Sequence, residues 1–141
     1  MNHLYKMTGQ IAALLLLLLL STGLRATANT PETAPPNWSI DPLDFEFNMS
    51  LIVRVNFSGA PSNNAGNIVG VFVGNELRGV ATPISILGDQ YFYITAYSNQ
   101  YFGETLTFRV YYAPNDVVYG TPETVSFIHN STFGSIGMPF W

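Results

Sequence analysis

Few groups in this chain could do chemistry. His129 is the one histidine beyond the first few residues, and it sits beside Asn130-Ser131-Thr132 in a loop-like stretch. A serine or cysteine nucleophile needs such a base within hydrogen-bond reach. No Gly-x-Ser-x-Gly turn occurs to present a serine. His129 therefore reads as an exposed loop histidine. Zinc needs clustered Cys or His, and the chain has no cysteine. Calcium would settle around Asp41, Asp44 or Asp89, but no Asp-x-Asp-x-Asp ligand run exists and no metal site is assigned. Glycoside hydrolysis needs two carboxylates across a cleft. Glu46, Asp89, Glu104, Asp116 and Glu123 fall at turns or wet strand positions, where solvated acids are the rule. The expectation is no catalytic residue, no cofactor and no enzyme.

Two other groups carry more information. Glu76 and Arg78 lie two residues apart in a hairpin over residues 67–81, whose apolar arms flank Gly74-Asn75. Gly74 suits the positive φ at the first position of a type II′ turn, and Asn75 tolerates turn geometry. A two-residue turn makes Val73 face Glu76, Phe72 face Leu77, Val71 face Arg78 and Gly70 face Gly79. Arg78 is then either a solvent-facing partner of Glu76 or a buried anchor for loop carbonyls, because Val69, Val71 and Val80 share its face. The glycine pair Gly70 and Gly79 reads as a device that lets an aromatic ring lie against the backbone. The second group is Tyr91, Tyr93 and Tyr97, which share one face of a strand. Exposed, they would form a platform for a sugar ring or a protein surface; half-buried, they are rim residues of a sheet.

The start of the chain has a different character. A head with Lys6 leads into an apolar run that includes seven leucines at 14–20, then Ala26-Thr27-Ala28. Basic head, short apolar run and small-x-small tripeptide are the parts of a secretory signal peptide over residues 1–28. The run falls well short of the roughly twenty residues that span a bilayer. Residues 29–37 form a Pro/Thr linker. Residues 38–141 are the right length for one domain. Beyond the signal, Arg54, Arg78 and Arg109 face nine carboxylates, a formal charge of −6. Such a surface argues against nucleic acid or anionic membrane as partner.

The elements that position these groups are strands. From 45 to 57 every odd residue is apolar and nearly every even one polar, which is period two and predicts one long strand. Residues 84–87 read as a short edge strand, with Gly88-Asp89 as the next turn. Residues 91–97 and 104–112 alternate in the same way, 117–119 and 124–128 are short strands separated by Gly120-Thr121-Pro122, and 138–141 is a last edge strand. No stretch beyond the signal has helical periodicity. The fold expected is all-β, an antiparallel β-sandwich of immunoglobulin-like size with about seven to nine strands.

The hairpin and its sequel resemble a module, often repeated, in large exported proteins of bacteria that use type IX secretion. The likeness rests on Gly70-Val71-Phe72-Val73, Leu77-Arg78-Gly79-Val80-Ala81, Tyr97-Ser98-Asn99, Glu104-Thr105, Phe108-Arg109-Val110-Tyr111, and on Phe127, Asn130, Gly134-Ser135 and Pro139-Phe140. The chain departs from the module at Leu77, where a cysteine is frequent, and at Tyr112, where an aspartate is frequent. The resemblance implies a β-sandwich in a surface or extracellular setting and no settled activity. No sorting domain follows Trp141, so the chain is expected to be a fragment, a small standalone relative, or exported only to the periplasm.

The function expected is a non-catalytic secreted or cell-surface module for adhesion, binding or spacing, with glycans or surface proteins as partners. One alternative is a carbohydrate-binding module using the tyrosine face. The other is a structural subunit assembling by strand exchange.

Overall fold

A computed structural model of the protein describes residues 35–141. The signal peptide expected over 1–28 and most of the linker lie outside the described residues. Ten strands follow one another among them: β1 (Phe47–Val53), β2 (Asn56–Phe57), β3 (Ala60–Pro61), β4 (Ile68–Val73), β5 (Glu76–Ala81), β6 (Ile84–Ile86), β7 (Asp89–Ser98), β8 (Phe102–Tyr112), β9 (Val117–Ile128) and β10 (Thr132–Phe133). Short 3-10 turns occupy Pro42–Asp44 and Ala113–Asn115. One sheet runs β10-β1-β7-β6, the other β5-β4-β8-β9, and β2-β3 form a separate ribbon. All pairings are antiparallel except β10 on β1. The domain is all-β, with sheets packed face to face in a sandwich-like arrangement.

Alternation decides what is inside. Met49, Leu51 and Val53 of β1 meet Phe92, Ile94 and Ala96 of β7, and across the core Val69, Val71, Leu106, Phe108, Val110, Val125 and Phe127. β1 and the 92–96 part of β7 bury every second residue, as a pleated sheet with one dry face requires, whereas central β4 is buried on both faces from Val69 to Phe72.

The long alternating stretch behaves as predicted through Val53, where its strand pairing stops; Arg54, expected on the wet face, is buried together with Val53 and Val55. Arg54 donates its N–H to the Phe140 carbonyl, and Val55 accepts from the Ser62 N–H, which turns the chain into the β2–β3 ribbon. Periodicity records which face is dry; it does not record which backbone groups find a strand partner. The expected strands 117–119 and 124–128 are one, β9. The expected strand at 138–141 is reduced to a bridge from Phe140 to Val53. The turn expected at Gly88-Asp89 lies one residue earlier, where Leu87 and Gly88 both have positive φ.

The hairpin keeps the turn and loses the register. Val73 faces Glu76 and Phe72 faces Leu77, and Gly74 has φ +60 while Asn75 stays at negative φ, as a type II′ turn demands. Beyond Leu77 the register shifts, so Val71 faces Gly79 and Gly70 faces Val80, with Arg78 as the extra residue of a β-bulge. A one-residue slip exchanges faces, so Ala81 now packs on the core. The two glycines do not oppose each other, yet each permits a close approach. A Cβ on Gly70 would lie 2.8 Å from the Trp38 ring, and one on Gly79 would lie 2.5 Å from the Thr95 carbonyl oxygen of β7.

Candidate functional site

The sandwich has two unlike ends. At the end where β7 stops and β8 starts, two bulges bring a buried ion pair together. Arg78 projects from the β5 bulge, and Glu104 from a bulge in β8 where Gly103, at φ +97, and Glu104 stand opposite Phe127. Arg78 donates to both Glu104 carboxylate oxygens at 2.9 and 3.0 Å, to Glu76 at 3.2 Å and to the Tyr97 carbonyl at 3.3 Å. Ser98 donates its hydroxyl to Glu104 as well. Arg78 is therefore the buried anchor of the two readings, with Phe45 beneath its guanidinium at 5.3 Å. Glu104, expected as a solvated acid, is its principal partner. These contacts hold β5, β7 and β8 together at this end.

The opposite end is open. β1 ends at Val53 and the chain swings outward, while across from it β9 bulges. Thr121, Pro122 and Glu123 stand opposite the single residue Phe108, because Arg109 pairs with Gly120 and Thr107 with Thr124. A proline in a strand has no N–H to give to a ladder, so it belongs at such a bulge. Between these two interruptions lies a cleft of about 470 Å³. Its floor is core: Val53, Val55, Val69, Phe108 and Val110. Its rim is aromatic and polar: Phe57, Tyr119, Trp141, Asn56, Thr121 and Glu123.

Each rim group is held by something specific. Phe57 stacks on Tyr112 with ring centroids 3.9 Å apart and meets the edge of Tyr119. Tyr119 accepts a hydrogen bond from Asn115 at 3.1 Å and remains 36% exposed. Trp141, 44% exposed, lies with its ring 4.9 Å from the Arg54 guanidinium, whose other neighbour is the Tyr91 ring at 5.1 Å. Arg54 itself is buried and donates to Asp89 at 2.6 Å and Asn63 at 3.2 Å. Fully buried Asn67 ties the loops behind the cleft, donating to Ser62 and accepting from the Ala113 N–H. Two polar atoms of this end are buried without a partner, Thr121 Oγ1 and Arg54 Nε. Buried polar groups are nearly always satisfied, and the same pattern recurs away from the cleft at Arg78 Nε and His129 Nδ1.

The residues singled out from sequence lie elsewhere. Tyr91, Tyr93 and Tyr97 do share the outer face of β7 but form no common platform. Tyr91 is 7% exposed beneath Arg54, donating to the Ile136 carbonyl, and Tyr97 stacks on Phe45. Tyr93 alone is open, at 41%, beside a shallow groove with Trp38 and Ile84. His129 is not a freely exposed loop residue: it packs between Phe47 and Tyr101 with centroids 5.0 Å away, its Nδ1 buried. Gly70, Gly74, Asn75 and Gly79 shape the hairpin, and Asn75 also accepts from Arg109 at 2.7 Å. Among the described residues no group of three or more His, Cys, Asp or Glu could hold a metal ion. Sequence reading missed the cleft because its walls come from five separate stretches. The one local signal was Pro122 inside an alternating run, which was read as a turn between strands. Comparisons with protein-family models, with curated proteins and with solved structures each return no match.

Proposed function

We propose that the protein is a non-catalytic binding module, a β-sandwich of immunoglobulin-like size, exported and working in adhesion or ligand capture outside the cytoplasm. The leader over residues 1–28 and the resemblance to type IX-secreted modules support the compartment. The observation that carries the binding role is the cleft between the end of β1 and the β9 bulge, which combines an apolar floor with an aromatic and polar rim. Its volume falls within the roughly 300–1,000 Å³ of ordinary small-ligand sites. This reading moves the binding surface from the outer face of the tyrosine strand to the open end of the sandwich, beside Arg54 on which Tyr91 lies.

The test is amide-detected NMR of the labelled protein against separate mixtures of saccharides, short peptides and aromatic fragments. The expected result is that at least one mixture shifts the amides of Asn56, Gly120, Thr121 and Trp141 while Tyr93 and its neighbours stay unchanged. Shifts confined to β7, or none at all, overturn the assignment.

A further inference from the structure

Resting on that reading of the cleft, we infer that its ligand is a neutral saccharide. The walls disfavour two other occupants, a peptide added as a strand and an anion. A peptide added as a β-strand needs free main-chain donors and acceptors along an edge. On the β1 wall these are taken: Arg54 N–H bonds the Phe140 carbonyl at 2.8 Å, Phe140 N–H bonds the Ile52 carbonyl at 3.0 Å, and the Val55 carbonyl accepts from Ser62 at 2.8 Å. On the β9 wall Pro122 has no N–H and stands within a three-residue bulge, where no regular ladder can form. An anion is disfavoured because the one cation at the cleft, Arg54, is already committed to Asp89 and enclosed by two rings. Glu123, in no ion pair among the described residues, adds negative charge beside it.

What remains on offer suits a pyranose. Such a ring has an apolar C–H face and a girdle of hydroxyls that both donate and accept. The indole of Trp141, backed on one side by Arg54, and the Tyr119 ring provide flat apolar surfaces. Asn56 and Glu123 line the cleft and carry planar groups that can engage neighbouring hydroxyls. The cleft volume of about 470 Å³ gives room for a mono- or disaccharide.

The two tryptophans provide the experiment. In 15N spectra of the intact protein the Trp141 indole N–H reports on the cleft, and the Trp38 indole, packed over Gly70 on an outer sheet face, is an internal control. Cellobiose, lactose, maltose and diacetylchitobiose are titrated in turn, beside digalacturonic acid and a Val/Thr-rich peptide. The expected result is a saturable shift of Trp141 but not Trp38 with at least one neutral disaccharide, and weaker binding of the acid. Tyr119→Ala should weaken that affinity by about tenfold or more, as for an aromatic anchor, and Asn56→Ala should weaken it with an unchanged spectrum elsewhere. Saturation by the peptide alone, or by the acid in preference, overturns the saccharide and leaves the cleft as a binding site. No saturation by any probe at Trp141, with the cleft amides silent in the mixtures above, overturns both.

Discussion

Arg78 and Arg54 are both buried cations, and their surroundings differ in a way that can be measured. Arg78 has four acceptor contacts, of which Glu104 supplies two from a largely buried carboxylate while Glu76 is well exposed. Removing one partner of a buried pair strands the other charge, at about 3–5 kcal/mol, whereas an exposed pair contributes roughly 0–1 kcal/mol. Glu104→Ala should therefore lower the urea midpoint severely and Glu76→Ala barely; equal effects would contradict the anchor role. A second residue carries a pH dependence. The Tyr111 hydroxyl donates to Asp116 at 2.8 Å, and this bond, then burial, then the nearby carboxylate charge, raise its pKa above the ordinary phenol value. A folded-state pKa raised above the unfolded one gives stability that is complete below the unfolded value, near pH ~10, and is lost as pH rises through the folded value. Unfolding followed against pH should show an alkaline loss that Tyr111→Phe reduces. An identical alkaline profile in the variant would remove the assignment.

At the scale of elements, bulges place the groups that regular strands could not. The β5 bulge turns Arg78 toward the end of β7, the β8 bulge brings Glu104 to meet it, and the β9 bulge opens the wall of the cleft. The sheets come close where β5 leans on β7, and Gly79 is what permits it. A Cβ there would collide with the Thr95 carbonyl, which is backbone and cannot rotate away. Gly79→Ala should cost about 1–3 kcal/mol by overpacking. Gly120→Ala is the control, since nothing lies within 4 Å of its Cβ position and its φ is not positive, so its effect should stay within about 0.5 kcal/mol. Thermal or urea denaturation of the two variants decides the matter; similar losses in both would show that β5 and β7 can part without cost.

At the scale of the molecule, one end of the sandwich is closed by an ion pair and the other is left open as an aromatic cleft. The three arginines of residues 35–141 all finish against aromatic rings: Arg54 on Tyr91 and Trp141, Arg78 on Phe45, and Arg109 on Phe72. Two of the three, Arg54 and Arg78, are buried, while Arg109 lies half-exposed over the hairpin turn. The all-β class, the alternation through residues 47–53 and the turn at Gly74-Asn75 were legible from sequence, because burial on a pleated sheet has period two and a II′ turn needs a particular residue. The burial of Arg78 was legible as one of two readings, since its apolar neighbours on the same face pointed inward. The hairpin register beyond Leu77 was not legible, because a bulge has no residue signature until a partner such as Glu104, 26 residues away, gives Arg78 somewhere to go. The tyrosines could be placed on one face but not ranked by exposure, because what covers Tyr91 and Tyr97 comes from Arg54 and Phe45, distant in sequence. The cleft belongs wholly to the tertiary structure. Period and turn chemistry are local properties that each stretch carries by itself, whereas a cavity exists only where β1, β4, β8, β9 and the segment ending in Trp141 fail to meet.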